Sequence, residues 1–336
     1  MAAGGSAART VLVIGAHGVL GSALAGAFED AGWRVVRGVR RGDGARGWAA
    51  VDLDQPETVA AAIAGVDLVV DPVPHPGLTP EHVVLREGGA LIDVSMRPAA
   101  AARRLRAETA SARGTVVVNA GRTPGVSNLV VADLLSAHPD ADAVEIVFGF
   151  TAGGASGRAG GESVHRYLTS ARRHATTVIP FPAPIGPKRC LRFAESEGGW
   201  LGGLAEGRAV AAYARFSPKV LNSAVLGVNA LALMRALPLA AFVPRGTNSP
   251  TELTSESLIE WVAVRRDGTL LDARTITGAG NYRVTAAATL VLAESLLEPA
   301  RGDRVRPGCF EPQELFSLTE LEASLRQTGI AVDTAS

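Results

Sequence analysis

The segment Thr10-Val-Leu-Val-Ile-Gly-Ala-His-Gly-Val-Leu-Gly21 constrains this chain more than any other. An apolar, β-branched run ends in glycines at 15, 18 and 21, and a helical pattern begins at Val19. That order reads as a strand, a tight turn and a helix. Gly15 permits the turn, Gly18 lets a ligand approach the backbone, and Gly21 lets the helix pack close to the strand. The helix N-terminus then faces negative charge, so the expected ligand is the pyrophosphate of a dinucleotide. Gly15, His17, Gly18, Val19, Leu20 and Gly21 would line it. The spacing is G-x-x-G-x-x-G, with His17 standing where the G-x-G-x-x-G pattern has its second glycine.

The segments that follow keep one rhythm. Short strand-like runs at Arg34–Val39, Trp48–Leu53, Val66–Val73, Ala90–Ser95 and Thr115–Asn119 alternate with helical patterns at Pro56–Ala64, Pro80–Glu87 and Pro98–Arg113. Such alternation predicts an α/β fold with a doubly wound parallel sheet, a Rossmann domain over 9–125. After Gly121 the rhythm changes, and a second, α+β domain is expected over 126–280. It should contain a helix at Asn128–Ser136 and a strand at Ala143–Phe150. A helix near Ser163–His174 and a mostly helical stretch across 200–242 should follow. Ile259–Arg265 and Leu270–Thr277 flank Asp267-Gly268 and predict a hairpin. Tyr282–Leu297 and Pro312–Gln327 each read as a long amphipathic helix.

Composition narrows the class. With 336 residues, 47% of them hydrophobic, the chain suits two domains of ordinary size. The formal net charge is zero, which offers nothing to nucleic acid or an anionic membrane surface. Cys190 and Cys309 are far apart, which argues against a disulfide framework or a zinc knuckle and fits a reducing cytoplasm. The stretch Ala224–Val243 contains Asn229, Arg235 and Pro238, so it reads as a buried helix and not a membrane span.

The second strand ends Arg37-Gly-Val-Arg-Arg41. A site preferring NAD places a carboxylate near here for the ribose 2′-hydroxyl. Arg37, Arg40 and Arg41 instead offer guanidinium forks that match a 2′-phosphate, so the expected cofactor is NADP. Asp52 either meets the adenine edge or caps its strand end. Pro72 and Val73 open a proline-rich loop that should run beside the nicotinamide. The residues four after Tyr167, Tyr213 and Tyr282 are Ala171, Ser217 and Ala286, so no Tyr-x-x-x-Lys proton-transfer pair exists. Motifs for zinc hydrolysis, acyl hydrolysis and P-loop chemistry are absent too. His165, Arg166, Arg172, Arg173 and His174 form a basic face on one predicted helix, either solvated or facing an anionic substrate.

Two later segments carry a resemblance. Gly88-Gly-Ala-Leu-Ile-Asp-Val-Ser95 leads to Val118-Asn-Ala-Gly-Arg-Thr-Pro-Gly-Val-Ser-Asn128, and Gly278-Ala-Gly-Asn-Tyr-Arg-Val-Thr-Ala286 precedes a long helix. Both resemble the saccharopine dehydrogenase and carboxynorspermidine dehydrogenase family. The resemblance implies reduction of an imine by NADPH, or the reverse oxidation. It also implies that helices over 281–330 return to the nucleotide domain and that the central part pairs two chains into a homodimer. Asp93 and Ser95, at a strand end, are candidates to stabilise an iminium. Arg122 is a candidate partner for a substrate carboxylate, a role argued from its chemistry and not from the family pattern. Asn128 faces the site or caps its helix, and Tyr282 packs on the cofactor, donates a proton or fills the core. Reduction of a C=C bond in a lipophilic substrate, and cofactor sensing without turnover, are the alternatives.

Overall fold

The computed structural model describes residues 8–41, 45–108, 111–151, 158–170, 175–183, 185–192, 200–204, 206–217, 219–238, 257–298 and 306–335. In chain order the elements begin β1 (Thr10–Ile14), α1 (Val19–Asp30), β2 (Arg34–Val39), β3 (Trp48–Ala50), α2 (Pro56–Ile63), β4 (Leu68–Asp71), α3 (Thr79–Glu87), β5 (Ala90–Asp93), α4 (Ala99–Ala107) and β6 (Thr115–Val117). They continue with α5 (Val126–Ala137), β7 (Ala143–Thr151), α6 (Arg158–Ser170), β8 (Thr176–Pro180), β9 (Pro187–Arg192), β10 (Ala209–Ser217) and α7 (Lys219–Ala230). The last are β11 (Ser257–Arg266), β12 (Thr269–Ala279), α8 (Asn281–Leu296), β13 (Gly308–Phe310), α9 (Pro312–Leu315), α10 (Leu318–Gln327) and β14 (Ala331–Thr334). The chain divides into two units, 1–121 with 286–315 and 122–285 with 316–336.

The first unit holds a seven-stranded parallel sheet in the order β13-β6-β5-β4-β1-β2-β3. Its central strands are mostly apolar, as strands covered on both faces must be, and β1 and β5 are buried at every residue. Leu12, Val69, Leu91 and Val116 pack with Val59, Val83, Val84 and Leu105 into one core. Sheet order reverses direction between β1 and β4, so the loops leaving those two strands flank the crevice in which open α/β sheets bind ligands. The expected Rossmann architecture is therefore present, with β13 added to its edge beside β6.

The second unit holds a mixed seven-stranded sheet in the order β14-β12-β11-β7-β10-β9-β8. The predicted hairpin is β11–β12, and its turn places Asp267 at φ 50° and Gly268 at φ 78°, the left-handed pair that tight hairpins use. Two sequence expectations fail here. The stretch 200–242 is not mostly helical: Ala209–Ser217 is a strand paired in parallel with β7 along its whole length. Its alanines favour a helix, but a strand slot between β7 and β9 decides the matter. Pro312–Gln327 is not one helix either. Ser317 caps α10, its Oγ accepting from the Glu320 N–H at 3.3 Å while Glu320 accepts from the Ser317 N–H at 3.3 Å. Of the expected 281–330 return, 286–315 belong to the first unit and the rest to the second. Arg172, Arg173 and His174 of the predicted basic face, and 239–243 of the apolar stretch, lie outside the described residues.

Candidate functional site

The glycine turn is built as its spacing requires. Gly15 has φ 65°, and a Cβ there would stand 2.6 Å from Val73 Cγ2. A Cβ at Gly21 would stand 2.2 Å from the Gly15 carbonyl oxygen, and one at Gly18 3.1 Å from the same atom. Gly18 begins α1 as a cap residue that brings no side chain to the first-turn N–H groups. His17 and Gly18 are exposed, and Val19 and Leu20 are half-buried. The turn is thus exposed at His17 and Gly18 and closely packed against Val73 and its own backbone at the three glycines. These residues fit a dinucleotide.

At the rim, His17 stacks on Trp48 with ring centroids 4.7 Å apart, and the Arg37 guanidinium lies 5.8 Å from the Trp48 ring centre. Arg37 pairs with Glu29 at 2.8 Å, and Arg40 reaches Asp54 at 3.0 Å and Asp52 at 3.5 Å. Asp52 also accepts the Asp54 N–H and closes the turn before α2. Arg41 is exposed. Of the predicted arginines, Arg37 and Arg40 are already in contact with carboxylates.

Asp93 ends β5 beside Asp71, which ends β4 in register with it. Asp93 is fully buried, and both of its oxygens are used. One accepts the Ser95 N–H at 2.8 Å and the Ser95 hydroxyl at 2.6 Å, and the other accepts from Arg97 Nε. These bonds fix the chain after β5. Arg97 was not apparent from sequence. Its Nη1 donates to the His75 carbonyl at 2.6 Å, its Nη2 to Glu81 at 2.6 Å, and its backbone N–H to Asn119 Oδ1 at 2.7 Å. Asp71 lies 3.8 Å from the same guanidinium. Burial, and next the charge of Asp93, push the Asp71 carboxyl up to about 7. Burial and Asp93 likewise raise Glu81 well above the carboxylate range. Burial opposes the charge of Arg97, yet Asp93 and Glu81 outweigh it and raise its pKa. The signal available in sequence was two aspartates ending apolar strands, Leu68-Val-Val-Asp71 and Leu91-Ile-Asp93, which once buried side by side call for a shared cation or a proton.

In the second unit, Arg122 pairs with fully buried Glu260 at 3.0 Å, and Thr123 Oγ1 donates to the same Glu260 oxygen. Arg122 Nε and Nη1 and Glu260 Oε2 are buried without a hydrogen-bond partner among the described residues. Burial lowers the Arg122 pKa against the pull of Glu260. Asn128 is fully buried and directed inward, its Nδ2 donating to the Trp200 carbonyl at 3.1 Å and its Oδ1 accepting from the Gly125 N–H at 3.4 Å. Tyr282 is half-buried in the first turn of α8. His165 donates to the Leu237 carbonyl at 2.9 Å, which removes it from the solvated face expected of it. Cys190 and Cys309 are both buried free thiols, pushed up to about 12 by burial.

Comparison with known proteins bears on the fold. Residues 11–83 match the NAD dependent epimerase/dehydratase family. No curated protein sequence matches the chain. Among solved structures, saccharopine dehydrogenase (L-Glu forming) from Saccharomyces cerevisiae aligns over 98% of this chain and 100% of its own, at 14% identity and TM-score 0.58. The fold is that of saccharopine dehydrogenase. Homospermidine synthase from Legionella pneumophila, solved in complex with NAD, aligns over 98% of this chain and 91% of its own, at 10% identity and TM-score 0.62. The resemblance carried by 88–128 and 278–286 thus holds over the whole fold. No helix among the described residues is long and apolar enough to cross a membrane.

Proposed function

We propose that this chain is an NADP-dependent oxidoreductase of the saccharopine dehydrogenase-like group. Its reaction is hydride transfer to or from a C=N bond of an amino-acid-like substrate, carried out by a cytoplasmic homodimer. The observation that carries the reading is a backbone cradle at Gly15, Gly18 and Gly21 with Arg37, Arg40 and Arg41 beside it, on this fold. When bound, the nicotinamide supplies the hydride, and the protein supplies position and charge. The carboxylates that hold Arg37 and Arg40 do not defeat NADP. Both pairs are partly exposed and each is worth about 0–1 kcal/mol, so a doubly charged 2′-phosphate displaces them.

Arg122 is the substrate-carboxylate partner in this reading. Its Nε and Nη1 are buried donors without a partner among the described residues, and either can donate to a carboxylate oxygen beside the Nη2 that Glu260 holds. Glu260 keeps that guanidinium charged and oriented. The test is NADPH oxidation with panels of amines plus oxo acids, run against enoyl substrates. Turnover only with amine and oxo acid together supports imine reduction. Turnover with enoyl substrates alone moves the chemistry to C=C reduction, and tight NADPH binding without turnover makes the chain a sensor.

A further inference from the structure

We propose that Arg97 is a positioning residue for the dinucleotide site, holding the loop after β4 against the glycine turn and coupling nucleotide affinity to protons on the carboxylates around it. The proposal rests on the dinucleotide reading and assigns it a residue outside the cradle. The mechanical path is continuous. Arg97 grips the loop directly through the His75 carbonyl. Asp71, 3.8 Å from the guanidinium, accepts the Val73 N–H at 2.9 Å, and Val73 Cγ2 lies 2.6 Å from where a Gly15 Cβ would be. Movement of the Asp71 carboxylate therefore moves Val73, and Val73 is the wall against which the glycine turn is set.

The electrostatics add a sign. Three carboxylates, Asp71, Glu81 and Asp93, surround one guanidinium, so the cluster is neutral only if two of them hold protons. Asp71 Oδ2 and Glu81 Oε2 have no acceptor or donor partner among the described residues. The other titratable groups near the cluster are His75 in the loop, which faces Asp54 at 3.4 Å, and Glu311, which faces Asn119 at 3.5 Å. Cys309 is near Glu81 but stays a thiol throughout the range of interest. Burial holds the Asp71 proton to about pH 7. Losing it adds a buried negative charge behind a turn built to receive a pyrophosphate, so nucleotide affinity must fall as pH rises through neutrality.

The experiment is fluorescence titration of full-length wild type, Asp71→Asn, Arg97→Lys and Arg97→Met with NADPH and with NADH across about pH 6 to pH 8.5, with a thermal melt at each pH. NADH is included because its phosphates do not titrate in this range. For wild type the NADH Kd should rise by roughly threefold to tenfold over the range. Asp71→Asn, which keeps an acceptor for the Val73 N–H, should flatten that profile while melting as one folded species. Arg97→Lys should bind more weakly than wild type but more tightly than Arg97→Met. A wild-type slope retained in Asp71→Asn, or equal binding by the two Arg97 variants, overturns the proposal. Wild type that binds neither nucleotide at any pH removes the dinucleotide reading itself. Should Arg97→Met fail to fold, the Asp71→Asn profile alone decides.

Discussion

Arg97 in the first unit and Arg122 in the second both face buried carboxylates, and they do so differently. Arg97 has a partner for Nε, Nη1 and Nη2, and three acidic side chains face it. Among the described residues, Arg122 has one acidic partner and two buried nitrogens without any. A saturated guanidinium is a clamp, since it ties β5, α3 and the loop after β4 together and has nothing left to offer. An unsaturated one carries a desolvation cost that a ligand's carboxylate would relieve. On the proposed reading the same residue type serves position in one unit and recognition in the other.

The largest expected effect comes from removing the clamp. Arg97→Met leaves up to three carboxylates buried without a cation, and should lower stability by about 3–5 kcal/mol near neutral pH. The loss should shrink at low pH, where the carboxylates are protonated; denaturant melts at both pH values measure it. Equal losses at both would mean that the cluster is packing and not charge. Asp71 offers a second handle. It deprotonates near 3.8 when unfolded and about 7 when folded. Between those values the unfolded chain holds fewer protons, so stability falls as pH rises from about 4 to about 7 and is level above. Asp71→Asn should remove that fall from the melting profile.

Arg122→Gln should act on substrate instead. Loss of a charged hydrogen-bond pair costs about 1.5–3 kcal/mol, so kcat/KM should drop roughly 10- to 100-fold while NADPH affinity holds. A loss of NADPH binding in this variant would erase the contrast with Arg97. The smallest effect belongs to the exposed Arg37–Glu29 pair: Glu29→Gln frees the guanidinium and should tighten NADPH by only about twofold to fivefold.

Much of the first unit was legible because its signals are local. The β1 run, the three glycines and the alternation that follows need no tertiary knowledge, and Thr10–Ile14 and Arg34–Val39 appear with the expected bounds. The second unit depended on pairing. Ala209–Ser217 is a strand because β7 and β9 flank it, which no window of its own sequence encodes. The candidate polar residues followed the same division. Arg37 and Arg40 lie near the turn in sequence and gather beside it. Asp93 was singled out, but the arginine that holds it was missed, because the case for Arg97 depends on Asp71 and Glu81 arriving from other elements. Glu260, the partner of Arg122, is 138 residues away on a strand of the hairpin, beyond the reach of any spacing rule.

The central claim is a dinucleotide site that selects the 2′-phosphate, and paired titrations test it most directly. NADPH and NADH are titrated into wild type and into an Arg37→Ala, Arg40→Ala double variant. Wild type should bind NADPH at least about tenfold more tightly than NADH, a preference worth about 1.4 kcal/mol or more, and the variant should lose that preference while retaining NADH. Equal affinities in wild type, or a preference that survives in the variant, would contradict it.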